Sequence, residues 1–254
     1  MKVPILSLTK EQVGEIDVPR VFETPIRPDV IQRAVVAQQT KRLQPQGRDP
    51  MAGKRTTAIS KGTGHGQARV PRLKQGNRAA FGVSIVGGHQ AFPPLSEKKV
   101  VKGINRKERR LAIRSGIAAS AVKEIVAARG HSIADNTQLP IVIDDELESL
   151  KKTEEIKGLF TSLGIWADVE RADRHKVRAG KGKMRGRRKK IGRGPLIIVS
   201  EDRGIGKAAR NLPGVDTTTV KGLNAELLAP GAHPGRLVVW TRSAITSLDQ
   251  IWEA

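Results

Sequence analysis

The sequence contains no cysteine and no tyrosine, and its 254 residues include only four phenylalanines and three tryptophans. The lack of cysteine excludes disulfides, zinc ribbons, iron–sulfur clusters and thiol nucleophiles. Proteins that read single-stranded nucleic acid stack bases on exposed aromatic rings, and this chain has few rings to use in that way. Any binding of nucleic acid is therefore expected to use phosphates, 2′-hydroxyls and shape, on a structured RNA or on DNA.

Long apolar runs are also missing. No window of the sequence approaches eighteen apolar residues, so we predict no membrane-spanning helix. The N-terminal stretch MKVPILSLTKEQVGEI has a short apolar run that Pro4 interrupts, which is not typical of a signal peptide. Together with the lack of cysteine, these features predict an intracellular protein with no membrane partner.

Acidic residues are nearly missing from two segments of a chain whose formal net charge is +21. Residues 41–95 hold ten basic residues and one acidic residue, and residues 174–193 hold eleven basic residues and no acidic one. Such blocks of like charge repel one another and are expected to stay unfolded until a polyanion neutralises them. Nucleic acid is the expected polyanion, because a membrane-binding segment would carry more apolar residues than Val177, Met184 and Ile191.

The rest of the chain alternates between short apolar runs and helical patterns. Strands are predicted at residues 140–143, 165–170, 195–200, 215–220 and 236–241, with an edge strand at 3–8. Helices are predicted at residues 147–164, between residue 201 and Pro213, and from Arg242 onward. A longer helix is predicted from Asn105, which forms a capping-box pattern with Glu108, to Gly130.

This alternation predicts an α/β fold, in which a mostly parallel sheet is covered by helices on both faces and a long basic loop is inserted. We expect a globular domain from residues 1–44 and 96–254, an extended loop at 45–95, and a basic segment at 174–193 within the globular domain. Fixing some fifty loop residues costs on the order of 50–100 kcal/mol in backbone entropy. The loop has no apolar core to offset this cost, so we expect it to become ordered through contacts with a large folded RNA.

Three carboxylates offer an alternative function. Asp144, Asp145 and Asp202 follow predicted strands, so a parallel sheet would place them at its carboxyl edge, where active sites occur. Carboxylates there could hold magnesium in a nuclease. The simpler interpretation, which we favour, is that they stabilise helix N-termini. The five histidines show no metal-binding spacing, and GTGHG at residues 62–66 lacks the strand and helix that a dinucleotide site requires.

Four stretches of the chain carry a family resemblance. They are KGTGHGQARVPRLKQGNRAAF, GGHQAFPPLSEKKVVKGINRKERRLAIRSGIAASA, RADRHKVRAGKGKMRGRR and LAPGAHPGRLVVWTRSAI. They resemble the large-subunit ribosomal protein four family in its archaeal and eukaryotic form, and the resemblance covers essentially the whole chain. His65 and His89 stand where that family often has arginine.

The resemblance implies a structural constituent of the large ribosomal subunit in the cytoplasm, with no catalytic role and no cofactor. Its globular domain would dock on large-subunit rRNA, and its loop would reach through the rRNA to the wall of the polypeptide exit tunnel. The implied partners are large-subunit rRNA, neighbouring large-subunit ribosomal proteins and the nascent peptide. Binding of its own messenger RNA remains a further alternative.

Three groups of residues are predicted to bind rRNA, and none is predicted to be catalytic or to bind metal. The loop group is Lys54, Arg55, Lys61, Gly62, Thr63, Gly64, His65, Arg69, Arg72, Lys74 and Arg78, of which Lys61–Gly64 follow from the resemblance. The second group is Arg174, Lys176, Arg178, Lys181, Lys183, Arg185, Arg187, Arg188, Lys189, Lys190 and Arg193. The third lies at the start of the long helix and comprises Arg106, Lys107, Arg109 and Arg110.

Overall fold

A computed structural model describes residues 2–134 and 137–252. The chain forms two compact units: unit 1 comprises Met1–Gln39 and Gly103–Ala254, and unit 2 comprises Thr40–Lys102. The boundaries expected from composition, at residues 44/45 and 95/96, lie a few residues inside unit 2. Composition marks where the basic segment begins and ends, whereas unit 2 also includes the short stretches of chain on either side of that segment.

The strands are β1 (Lys2–Leu6), β2 (Gln12–Asp17), β3 (Ile141–Ile143), β4 (Lys176–Val177), β5 (Lys189–Lys190), β6 (Leu196–Val199), β7 (Asp216–Thr219) and β8 (Val238–Thr241). The helices are α1 (Pro28–Thr40), α2 (Arg106–Ala121), α3 (Lys123–Ala128), α4 (Thr153–Ser162), α5 (Trp166–Asp173), α6 (Lys181–Met184), α7 (Ile205–Ala209), α8 (Ala225–Leu228), α9 (Arg242–Thr246) and α10 (Leu248–Trp252). Turns of 3-10 helix lie at Arg20–Glu23, Asp145–Ser149, Val220–Gly222 and Pro230–Ala232.

Unit 1 is built on a six-stranded sheet with the strand order β2-β1-β3-β8-β6-β7. The β1–β2 pair is antiparallel, and the other neighbouring pairs in this sheet are parallel. The predicted mostly parallel sheet is therefore confirmed. The central strands have the sequences IVI, LIIV and VVWT and are buried along their whole length, as parallel strands covered on both faces must be.

Alternate residues of the central strands enter two separate hydrophobic cores. Ile198 and Trp240 belong to a core with α1, α2, α8 and α9, whereas Ile197 and Val239 belong to a core with α4, α5 and α7. Because successive side chains of a strand point to opposite faces, these two cores lie on the two sides of the sheet. Helices thus cover both faces, as the sequence predicts.

The strand predicted at residues 165–170 is wrong, because this stretch lies in α5. Ile165, Val169 and Ala172 are buried at helical spacing, and Ile165 and Val169 belong to the second core. A strand here would place Asp168 on the face opposite to Ile165 and Val169, because successive side chains of a strand alternate between faces. Asp168 is in fact fully buried, where polar partners from other parts of the chain surround it.

Other boundaries also differ from the prediction. β1 is not the edge strand, because β2 folds back on it through a turn in which Lys10 has a φ of 71°. The long helix is broken at the extended residue Val122, which separates α2 from α3. The expected capping box does not form, because the Asn105 side chain makes no cap hydrogen bond and Glu108 accepts one from Arg33 at 2.9 Å.

Unit 2 contains little regular structure. Isolated antiparallel bridges join Ile59 to Arg72 and Arg72 to Ala79. Gly53 has a φ of 76°, and a Cβ there would lie 2.4 Å from the carbonyl carbon of Gly88, so the backbone can approach this closely only at a glycine. The two ends of the unit meet where the backbone N–H of Lys102 donates to Oγ1 of Thr40 at 3.1 Å.

Candidate nucleic-acid interface

The tip of unit 2 is an exposed loop that begins after Ile59 and ends before Arg72. The backbone N–H groups and carbonyls of these two residues exchange hydrogen bonds of 3.1 Å and close the loop. The predicted tip residues Lys61, Gly62, Thr63, Gly64, His65 and Arg69 are all exposed. The tip is therefore a solvent-facing hairpin end with three basic or imidazole side chains and no carboxylate.

Two of the predicted bases of unit 2 donate hydrogen bonds to backbone carbonyls of the same unit. Arg72 donates to the carbonyl of Asn77 at 3.0 Å, and Arg78 donates to the carbonyl of Val86 at 3.3 Å. Because a carbonyl carries no net charge, these contacts orient the guanidinium groups and leave their positive charge in place. Arg55 differs from them, because it forms an ion pair with Asp49. The remaining predicted bases, Lys54 and Lys74, are exposed.

Residues 174–193 form a short antiparallel hairpin. In it Lys176 of β4 pairs with Lys190 of β5, and Val177 pairs with Lys189. The backbone N–H of Arg178 extends this ladder by donating to the carbonyl of Arg188 at 2.7 Å. The eleven basic side chains of the segment are all exposed, and the segment contains no carboxylate of its own. The hairpin thus holds like charges side by side, an arrangement that an anionic partner would stabilise.

The start of α2 presents a second group of bases in unit 1. Arg106, Lys107 and Arg109 are exposed, and Arg110 is half-buried. Since Glu108 is engaged by Arg33, the carboxylate nearest in sequence is already paired with α1. α2 packs in the first core, whereas α5, which leads into the 174–193 hairpin, packs in the second. The two basic groups of unit 1 therefore arise from opposite faces of the sheet.

A buried polar network lies where the hairpin joins α5, and none of its members is among the residues predicted to bind rRNA. Asp168 accepts hydrogen bonds of 2.9 Å from Nδ1 of His131, from Nε of Arg171 and from the backbone N–H of Ser132. Burial lowers the pKa of His131 below its ordinary value, so the ring is neutral at pH 7. The signal that could have revealed this network is Asp168, an acid at a position that helical spacing buries.

The carboxylates considered for a nuclease, Asp144, Asp145 and Asp202, follow β3 and β6 at the carboxyl edge of the sheet, and two of them accept backbone hydrogen bonds. Asp145 accepts the backbone N–H of Ser243, in the first turn of α9, at 2.8 Å. Asp202 accepts the backbone N–H groups of Gly204 and Gly206, at the start of α7, at 3.0 and 3.1 Å. Within residues 2–134 and 137–252, no group of three histidine, aspartate or glutamate side chains could hold a metal ion. The geometry of Asp145 and Asp202 is that of helix capping.

The described part of the chain has no helix that is both long enough and apolar enough to cross a membrane.

Residues 16–251 match the sequence profile of the ribosomal protein L4/L1 family. Two archaeal relatives carry the name large ribosomal subunit protein uL4. The protein from Methanosphaera stadtmanae is 50% identical over 253 residues, which is 99% of this chain and 98% of the relative. The protein from Archaeoglobus fulgidus is 49% identical over 251 residues, or 98% and 99% of the two chains.

Proposed function

Because the chain belongs to the ribosomal protein L4/L1 family, we propose that it binds large-subunit rRNA and that its unit 2 forms part of the polypeptide exit tunnel wall. The family gives the chain a structural role in the large subunit of the cytoplasmic ribosome, and its relatives make it an archaeal-type member. Neighbouring large-subunit proteins and the nascent peptide are its further proposed partners.

The arrangement of exposed charge carries the rRNA-binding proposal. Eleven exposed basic side chains lie in one twenty-residue hairpin that contains no acid. A pair of strands with this composition is costly in isolation because like charges lie side by side, and rRNA phosphates would neutralise it while releasing counterions. The exposed bases at the start of α2 and in unit 2 provide further contacts of the same kind.

Replacing Arg187 and Arg188 together by alanine tests this proposal. We expect weaker binding of a large-subunit rRNA transcript, and a slope of log K against log salt that is reduced by roughly 0.7–0.9 for each lost phosphate contact. The matched control is the double variant Arg27→Ala with Arg203→Ala. It removes the same charge from exposed arginines that pair with Asp29 and Glu201. Equal salt slopes for the two double variants would contradict the assignment.

The exposed loop tip supports the tunnel-wall proposal. Residues 61–69 are exposed, free of acid and held together at their base, so they suit a narrow passage between RNA strands. The chain has no cysteine, so Thr63→Cys introduces a unique thiol at the tip. In ribosomes stalled during translation, this thiol should cross-link to a nascent chain that carries a thiol-reactive group. Ser149→Cys, exposed in unit 1, is the control, and equal cross-linking from both positions would argue against the tunnel location.

We further propose that the chain has no catalytic activity, because Asp145 and Asp202 are already engaged in helix capping. Incubation of labelled RNA with the protein and magnesium should give no cleavage above that of the Asp145→Asn variant. Cleavage that this substitution abolishes would instead establish the nuclease alternative.

A further inference from the structure

A cleft of about 560 Å³ opens in unit 1 beside the end of α3. Its polar walls come from two arginines that precede the basic hairpin, from the last arginine of the hairpin and from two histidines. These residues are Arg129, Arg171, Arg193, His131 and His233. Only Arg193 is among the residues predicted to bind rRNA.

The cations around this cleft outnumber the anions. Arg171 pairs with Asp168 at 2.9 Å, and Arg193 pairs with Asp216 at 3.3 Å. The buried Arg236, whose charge also acts on Arg129, pairs with Asp216 as well, at 2.6 Å. Arg129 bonds only to carbonyl oxygens, those of Pro230 and His233, and among the described residues no carboxylate forms an ion pair with it.

Arg129 is thus a half-buried cation without a counter-ion. Burial, together with repulsion from Arg236 and Arg171, lowers the pKa of Arg129 to about 10. Removing an unpaired charge from water is unfavourable unless a partner of opposite sign is supplied. The folded chain therefore keeps at this position a charge that an external anion would stabilise.

The guanidinium groups of two arginines of the cleft, Arg129 and Arg171, are held in place before any ligand arrives. The carbonyls of Pro230 and His233 fix the guanidinium of Arg129, while Asp168 and the carbonyl of Arg193 fix that of Arg171. A guanidinium carries five N–H donors, and the contacts of Arg129 use only some of them. Planar, pre-oriented donors of this kind match the oxygens of a phosphate group.

The position of the cleft favours an RNA backbone as the source of that phosphate. Arg171 lies three residues before the hairpin, and its guanidinium donates to the carbonyl of Arg193, the last hairpin residue, at 2.6 Å. An RNA strand that runs along the exposed bases of the hairpin would therefore meet the cleft where the hairpin joins the sheet.

We infer that this cleft binds one backbone phosphate of RNA and that Arg129 is its principal partner. The inference rests on the proposed rRNA-binding function and adds a deep contact to the exposed ones. The exposed hairpin bases attract RNA over a distance, whereas the fixed arginines of the cleft would set where the strand enters.

Thermal unfolding with inorganic phosphate tests the cleft without RNA. Phosphate at about ten times its Kd should raise the Tm of the unmodified chain by roughly 3–6 °C over chloride at equal ionic strength. Arg129→Gln, which keeps an amide donor for the two carbonyls, should abolish this shift. Arg27→Gln, which removes the same charge at an exposed ion pair, should retain it. The exposed Arg193→Gln should reduce the shift, and provides the test should Arg129→Gln fail to fold.

Binding of a large-subunit rRNA transcript distinguishes the source of the phosphate. Arg129→Gln should weaken binding roughly tenfold and lower the salt slope by roughly 0.7–0.9, whereas Arg27→Gln should change neither. If Arg129→Gln removes the phosphate shift but leaves rRNA binding unchanged, the cleft takes free phosphate, and the RNA assignment is overturned. If it affects neither measurement, the cleft is not an anion site.

These outcomes separate the inference from the proposed function. Suppose that Arg129→Gln binds rRNA normally while the Arg187 and Arg188 double variant binds it weakly. This result would overturn the assignment of an RNA phosphate to the cleft and leave the proposed function intact. Failure of the unmodified chain to bind the transcript would overturn both.

Discussion

At the scale of single residues, Asp168 shows how a buried charge can join distant parts of the chain. Its carboxylate is fully buried and bonded to His131, to Arg171 and to the backbone of Ser132. Burial alone raises the pKa of Asp168, but the hydrogen bonds from His131 and Arg171 outweigh burial and lower the pKa below its ordinary value. The network ties the end of α3 to α5, directly below the basic hairpin.

Replacing Asp168 by asparagine should lower the free energy of unfolding by about 3 kcal/mol, because it leaves buried donors without an anionic acceptor. Urea denaturation followed by tryptophan fluorescence measures this change. Asp29→Asn, at an exposed ion pair with Arg27, removes the same charge and should leave the urea midpoint nearly unchanged. If the two variants behaved alike, the buried network would contribute little to stability.

The same network predicts how stability depends on pH. Burial lowers the folded-state pKa of His131 below 6.5. As the pH falls below about 6.5, the unfolded chain therefore binds a proton at this histidine before the folded chain does. The stability contributed by neutral His131 is therefore complete above about pH 6.5 and is lost as the pH falls through the folded pKa. The slope in this window is at most about 1.4 kcal/mol per pH unit. Asp168 acts in the same direction below about pH 3.8.

Urea midpoints at pH 7.5, 6.5 and 5.5 measure this dependence. His131→Asn should flatten the decline between pH 6.5 and 5.5, and His175→Asn, at an exposed position in unit 1, should not. A decline of equal steepness in the His131 variant would assign the acid sensitivity to other groups.

At the scale of elements, α7 depends on the side chain of Asp202 at its start. α7 has only five residues, and Asp202 accepts two of its otherwise unpaired N–H groups. Asp202→Ala should lower the free energy of unfolding by about 1 kcal/mol. Glu201→Ala removes the same charge from an exposed side chain that pairs with the exposed Arg203, and should cost less. Equal losses in urea denaturation would mean that Asp202 acts through charge alone.

The accuracy of the sequence-based prediction differed between elements for physical reasons. The runs at β3 and β6 are apolar throughout, and β8 is apolar up to Thr241; runs this short and this rich in β-branched residues are typical of buried strands, so they were predicted correctly. α5 was missed because the position of Asp168 is decided by His131, a partner 37 residues away. The helix α1 was overlooked although Pro28 and Asp29 at its start are ordinary helix-start signals.

At the scale of the whole molecule, the sequence predicts exposed bases better than it predicts a pocket. The exposure of the eleven bases of the hairpin can be predicted from charge density alone, because a segment with no acidic residue cannot bury so many unpaired charges. The cleft depends on Arg129 and Arg171 being brought together from positions 42 residues apart. That proximity results from the packing of α3 and α5 around Asp168, which composition does not reveal.

The division into two units leads to a prediction about which part docks on the ribosome. Lys102 and Thr40 are hydrogen-bonded at 3.1 Å, so residues 41–101 can be replaced by a short glycine–serine linker without pulling the ends of unit 1 apart. The three tryptophans, Trp166, Trp240 and Trp252, all lie in unit 1, so their fluorescence reports its folding directly. The shortened chain should unfold cooperatively, with tryptophan emission like that of the intact protein.

In a sucrose gradient of cell lysate, both forms should sediment with the large subunit and survive a moderate-salt wash, because the 174–193 hairpin and the start of α2 remain in the shortened chain. A shortened chain that folds but stays at the top of the gradient would mean that unit 2 provides most of the docking. An intact chain that also stays at the top would contradict the ribosomal assignment itself. If both forms sediment together, docking belongs to unit 1, which leaves unit 2 available to line the tunnel.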